Sequence, residues 1–123
     1  MTRILIIDDE VQVRGMLREA FKEGGYEVVE AQDGAEGMKK IKEAPVALVV
    51  TDILMPEQEG LETIRALRLE FPDVKIVAYS GGLARAPKLD VLFLASKAGA
   101  HRTFLKPFHL HELLEASRLL LED

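Results

Sequence analysis

A five-stranded parallel sheet, built from five βα units and doubly wound in the order 2-1-3-4-5, is the α/β fold this 123-residue sequence predicts. Three observations carry that expectation. Apolar runs without polar alternation recur along the chain, as strands covered on both faces of a parallel sheet require. Segments with apolar residues at helical spacing separate them. Glycine or proline punctuates the joins, with no repeat, low-complexity tract or interdomain linker between them.

The first strand is Ile4, Leu5, Ile6 and Ile7, ending on Asp8, Asp9 and Glu10. Val11, Met16, Leu17, Ala20 and Phe21 then mark the apolar face of a helix that Gly24 and Gly25 stop. Residues 26–31 form a shorter second strand. Asp33 caps a helix carrying Ala35, Met38 and Ile41, which closes before Pro45. The third strand, residues 46–50, is the most apolar and runs through Thr51 onto Asp52, and Pro56 bars its continuation. Leu61, Ile64, Leu67 and Leu69 define the third helix, closed at Phe71 and Pro72. A fourth strand at residues 74–79 delivers Ser80, Gly81 and Gly82. After a loosely patterned connection containing Pro87, residues 89–98 read as a helix ended by Gly99. Thr103, Phe104 and Leu105 make a short fifth strand that delivers Lys106, Pro107 and Phe108. The closing helix shows Leu110, Leu113, Leu114, Ser117 and Leu121 on one face.

Composition narrows the function. With no cysteine and a formal net charge of -5, residues 1–123 read as one domain of ordinary size with its own core and no disulfide, which fits a reducing compartment. Only four apolar residues stand between Arg3 and Asp8, too few for a signal-peptide core or a membrane span, so a soluble cytoplasmic protein is expected. The acidic balance and lack of a basic cluster argue against direct nucleic-acid binding.

In open parallel sheets, ligands gather outside the carboxyl ends of the strands, at the point where strand order reverses. The order 2-1-3-4-5 makes the first and third strands neighbours there, which brings Asp8, Asp9 and Asp52 together. Three carboxylates within about 5 Å of one another repel by about 3 kcal/mol per pair at an effective dielectric of about 20, so the cluster requires a cation. Oxygen ligands alone indicate Mg²⁺ rather than zinc. His101, His109 and His111 read as surface residues, not as ligands.

Ile7-Asp8-Asp9-Glu10, Asp52-Ile53-Leu54-Met55-Pro56 with Gly60 downstream, Ser80-Gly81, and Phe104-Leu105-Lys106-Pro107-Phe108 resemble the four signatures of response-regulator receiver domains of two-component signal transduction. They stand in the family's order and approximate spacing, and the likeness covers essentially the whole chain on a flavodoxin-like architecture. It implies that Asp52 is the phosphoacceptor, attacking phosphorus on a phosphohistidine of a sensor histidine kinase or histidine phosphotransfer protein. It implies Mg²⁺ held by Asp9 and Asp52, with Asp8 acting through water and the Leu54 backbone carbonyl as a further ligand. Lys106 is implied to pair with Asp52 and then with a phosphoryl oxygen, and the Lys106–Pro107 bond is a candidate cis peptide. Ser80 is implied as the switch hydroxyl, with Gly81 leaving room beside the phosphoryl group. Thr51 and Glu10 read as structural or electrostatic neighbours. Such a protein promotes its own phosphorylation and dephosphorylation, controls a downstream protein partner, and is a monomer or a phosphorylation-dependent dimer. No output domain is expected within the chain.

Two departures stand out. Receivers commonly carry a switch Tyr or Phe three residues before the lysine, where this chain has Thr103, while Phe104 is expected to face the other side of its strand. The connection from Ser80 to Lys106 is also longer than the common pattern, with its excess in residues 83–87. The conformational change is therefore expected in the loop from Gly81 and in the helix at residues 89–98. Other classes stay open on the same architecture. A flavodoxin-like binding protein would want a Gly/Ser/Thr-rich loop where Asp8, Asp9 and Glu10 stand. An Mg²⁺-dependent phosphohydrolase would want a general acid close after Asp52, where Ile53 and Leu54 offer none. A receiver-like module that has lost phosphorylation would not need the full set of Asp8, Asp9, Asp52, Ser80 and Lys106.

Overall fold

The computed structural model describes residues 1–53, 59–80 and 88–122, leaving aside the side chains at 59 and 88–91. The expectations for Leu54, Met55 and Pro56, and for Gly81, Gly82 and residues 83–87, lie outside the described residues.

Strands and helices alternate as β1 (Arg3–Ile7), α1 (Val11–Glu23), β2 (Glu27–Ala31), α2 (Gly34–Glu43), β3 (Leu48–Asp52), α3 (Glu59–Glu70), β4 (Lys75–Ser80), α4 (Lys88–Ala98), β5 (Arg102–Leu105) and α5 (Leu110–Glu122). The five strands form one parallel sheet in the order β2-β1-β3-β4-β5, as expected. Side-chain alternation along each strand divides the core in two. Leu5, Ile7, Val49, Ile53, Ile76 and Ala78 face the side packed by Ile41 of α2, Ile64 and Leu67 of α3 and Ala95 of α4. Ile4, Ile6, Leu48, Val50, Val77, Tyr79 and Phe104 face Leu17 and Phe21 of α1 and Leu113 of α5. Every residue of β3 is buried, which is why its sequence lacks polar alternation.

Local chemistry sets the joins. Asp33 is the N-cap of α2, its side chain accepting the Glu36 N–H at 2.8 Å, and Glu36 in turn accepts the Gln32 N–H at 2.9 Å. Gly99 ends α4 at φ 131°, a conformation that side-chain-bearing residues avoid. At the start of α3, Gly60 lies against the end of β3. A Cβ there would sit 2.5 Å from the Ile53 carbonyl oxygen and 2.8 Å from that of Asp52, so only hydrogen fits.

Helical spacing over-assigned the core at four positions. Val11 and Leu69 are 70% and 84% exposed, and Met16 and Ala35 also lie at the surface. At about 100° per residue, Val11 and Ala35 lie about 120° round their helices from the buried Leu17 and Ile41, and Leu69 about 160° from Leu67. The strand side of Gly37 takes up part of α2's contact instead, since a Cβ there would meet the Ile7 side chain at 2.6 Å.

His101 is a correction to the surface reading of the three histidines; His109 and His111 are exposed, but His101 is half-buried where β5 begins. Its Nδ1 accepts the Ile76 N–H at 3.0 Å, and its own backbone N–H donates to the Ile76 carbonyl at 2.8 Å. Only an unprotonated Nδ1 can accept that bond. Burial, with Arg68 and Lys75 nearby, lowers the imidazole pKa from its ordinary value of 6.5.

Two stability predictions follow from these contacts. Gly60→Ala should cost about 1–3 kcal/mol, because backbone atoms of β3 cannot move aside cheaply, and urea denaturation will read the loss. His101 binds its proton less readily folded than unfolded, so its contribution is complete above 6.5 and is lost as the pH falls. His101→Asn, whose side-chain oxygen can still accept from Ile76, should flatten the fall in urea midpoint between about pH 7.5 and about pH 5.5.

Candidate functional site

β1 and β3 are adjacent with Ile7 opposite Thr51, so the residues that follow, Asp8 and Asp52, emerge side by side at the carboxyl edge. One carboxylate oxygen from each of Asp8, Asp9 and Asp52 lies within 4.8 Å of the others. Asp8 is fully buried, Asp52 is 3% exposed and Asp9 faces solvent. Three anionic oxygen donors this close, two of them shielded from water, suit a hard divalent cation such as Mg²⁺.

Asp8 is held from several sides. Its backbone N–H donates to the Ala31 carbonyl at 3.1 Å, and its Oδ1 accepts the Glu10 N–H at 2.8 Å. Its Oδ2 accepts the phenol of Tyr79. Arg14 donates to its carbonyl at 2.7 Å and also pairs with Glu30, which Arg18 reaches at 3.0 Å. That pairing ties α1 to β2 and braces the turn carrying Asp8 and Asp9. Burial alone pushes Glu30 up, yet the two guanidinium groups hold its carboxyl below the usual range. Asp8 goes the other way: loss of water raises its pKa against the opposing pull of Tyr79, the Glu10 amide and Lys106, with Asp9 adding to the rise.

On the other side of β3, Asp52 is in register with Tyr79, whose carbonyl accepts the Ile53 N–H at 2.8 Å. The buried Thr51 hydroxyl donates to the Asp52 carbonyl at 3.1 Å. Ser80 ends β4 fully buried, and its Oγ has no hydrogen-bond partner among the described residues. A buried hydroxyl without a partner costs about 1–3 kcal/mol, a cost that an arriving acceptor would remove. Lys106 follows β5 with its N–H bonded to the Ser80 carbonyl at 3.1 Å and its Nζ 5.1 Å from the centre of the Tyr79 ring. The Lys106–Pro107 peptide is cis.

Thr103 pairs with Ala78 and so lies on the α4 side of the sheet, while Phe104 turns to the α1 and α5 side beside Phe108, as its strand position requires. Two contributors went unrecognised in the sequence. Tyr79 had the look of an ordinary strand residue, although a buried phenol next to a strand end is a signal that a polar partner stands nearby. Arg14 reads as a solvated helix residue, and only the fold brings it to Asp8. No helix of the described residues is long and apolar enough to cross a membrane.

Likeness to known proteins extends over the chain. A response regulator receiver protein, CpdR of Brucella abortus, is 34% identical over 122 residues, covering 98% of both chains. A CheY-like receiver domain protein from Methanospirillum hungatei superposes with a TM-score of 0.88 at 29% identity, covering 99% of this chain and 94% of that one. The structure of TrrA from Thermotoga maritima in complex with Mg(2+)-BeF gives 0.81 at 36% identity, covering 98% and 99%. Residues 4–118 match the response regulator receiver domain family, to which this chain therefore belongs.

Proposed function

We propose that the chain is a phosphoacceptor receiver in which Asp52 takes a phosphoryl group from a phosphohistidine on a sensor histidine kinase or histidine phosphotransfer protein. The observation that carries this reading is the meeting of Asp8, Asp9 and Asp52 oxygens within 4.8 Å at the edge where β1 and β3 adjoin. The buried hydroxyl of Ser80, which has no hydrogen-bond partner among the described residues, supports it.

As a carboxylate, Asp52 has no proton for a base to remove. One of its oxygens attacks phosphorus; the O–P bond forms as the P–N bond breaks, and the donor imidazole keeps the electron pair and takes up a proton. When bound, Mg²⁺ supplies neutralisation of the phosphoryl oxygens. Asp9 and Asp52 would hold it directly, Asp8 through water, and the Leu54 carbonyl as a further ligand outside the described residues. Lys106 answers a second phosphoryl oxygen, and Ser80 donates its hydroxyl to a third, moving its strand end as it does so. Thr103 has no aromatic ring to turn into vacated space, so the change passes through the segment that follows Ser80, with Gly81 giving room, and through α4. In this reading residues 1–123 are one receiver that works in the cytoplasm, gains and loses its own phosphoryl group, and controls a downstream protein.

Incubation with Mg²⁺ and a small phosphoryl donor should add the mass of one phosphoryl group to the intact protein, and Asp52→Asn should gain none. The same substitution should raise the melting temperature, since it removes one of three neighbouring like charges. Equal phosphoryl gain by Asp52→Asn at the wild-type rate refutes Asp52 as acceptor. Asp9→Ala should weaken Mg²⁺ binding by more than about tenfold in isothermal titration, as the loss of a direct ligand requires.

A further inference from the structure

Tyr79 belongs to no receiver signature recognised in this sequence, yet its phenol reaches the acid cluster. It is fully buried on the α1 and α5 side of the sheet, its ring 5.5 Å from that of Phe108. β3 separates β4 from β1, so a bond from Tyr79 to Asp8 crosses two strand spacings, about 10 Å from backbone to backbone. Tyrosine has the length for that span with a donor at its tip. The hydroxyl donates to Asp8 Oδ2 while the Glu10 N–H occupies Oδ1. Each carboxylate oxygen has two lone pairs, so both keep one free, and the two donors together fix the rotation of the carboxylate.

We propose that Tyr79 is a positioning residue: its phenol holds the Asp8 carboxylate in the orientation from which Asp8, with Asp9 and Asp52, engages the divalent cation. This rests on the metal reading above. Groups behind a metal site fix the carboxylates that hold the ion directly or through its water, and losing such a group costs about 10–100-fold in affinity. The Lys106 ammonium lies over the ring's face, so the same side chain bridges the acid cluster and its cationic neighbour.

The test uses Tyr79→Phe, which keeps the ring and removes only the donor. Isothermal titration should show Mg²⁺ affinity about tenfold weaker than wild type. In an Asp8→Asn background, Tyr79→Phe should change affinity no further, because the phenol acts through the Asp8 carboxylate. Circular dichroism and urea denaturation check that the fold is retained. A second measurement needs no change at Tyr79. The chain has two tyrosines and no tryptophan, so Tyr26→Phe leaves Tyr79 as the sole source of the near-ultraviolet phenol band. Saturating Mg²⁺ should perturb that band in Tyr26→Phe. Wild-type affinity in folded Tyr79→Phe, an equal loss in the Asp8→Asn background, or an unperturbed phenol band with Mg²⁺ bound would each overturn the role of Tyr79 and leave the metal reading standing. Wild type that binds no Mg²⁺ at all overturns both.

Discussion

Pairing of β1 with β3, with Ile7 opposite Thr51, is the constraint on which the rest of the molecule depends. The chain runs from β1 outward to β2 and then crosses back to β3 on β1's other side, so strand order reverses there. Two strands that leave the core level with one another must deliver their next residues level as well. Asp8 and Asp52 are those residues. A slip of the register by one residue would exchange the two faces of β3, exposing Ile53 and Val49 to the wrong helices and parting the carboxylates. Core packing and site geometry are thus specified by the same hydrogen-bond ladder.

Charge at the edge works against the fold that creates it. Asp8 has no solvent exposure, and the loss of water outweighs the donors around it, leaving its pKa raised. The protein limits the cost with three groups: the Glu10 amide, the Tyr79 phenol and the nearby Lys106 charge. None of these can neutralise three carboxylates. Carboxylates this close repel one another, and a bound cation would relieve that repulsion. Ser80 presents the same logic in neutral form, a buried donor with no hydrogen-bond partner among the described residues.

Aromatic side chains connect this edge to the α1 and α5 side. Tyr79 packs on Phe108, and Phe108 lies 6.1 Å from Phe104, so a continuous set of rings runs from Asp8 to β5. Thr103 stands on the opposite side of β5, against the cluster shared with α4. The two faces of the fifth strand are therefore unlike: rings on one, a small hydroxyl residue on the other. Residues 104 and 108 are held by packing on the α1 and α5 side.

Much of this protein was legible before any coordinates. Unbroken apolar runs at β1, β3 and β4 mark strands buried on both faces, Asp33 marks a helix start, and Gly99 a helix end, because backbone sterics and local hydrogen bonds act within a few residues. The placement of Asp8, Asp9, Asp52, Ser80 and Lys106 follows from strand ends alone once the order 2-1-3-4-5 is taken. Tertiary structure decided the rest. Val11, Met16, Ala35 and Leu69 have the spacing of core residues, but periodicity says which residues share a helix face and not where the covering sheet stops. His101 looks like any loop histidine until the Ile76 amide is placed beside it, 25 residues away in sequence. Tyr79 and Asp8 are 71 residues apart, and their bond depends on a strand running between them and on the length of one side chain. Such contacts join groups with no local signature, so only the folded sheet, which sets distance and direction between strands, could bring them together.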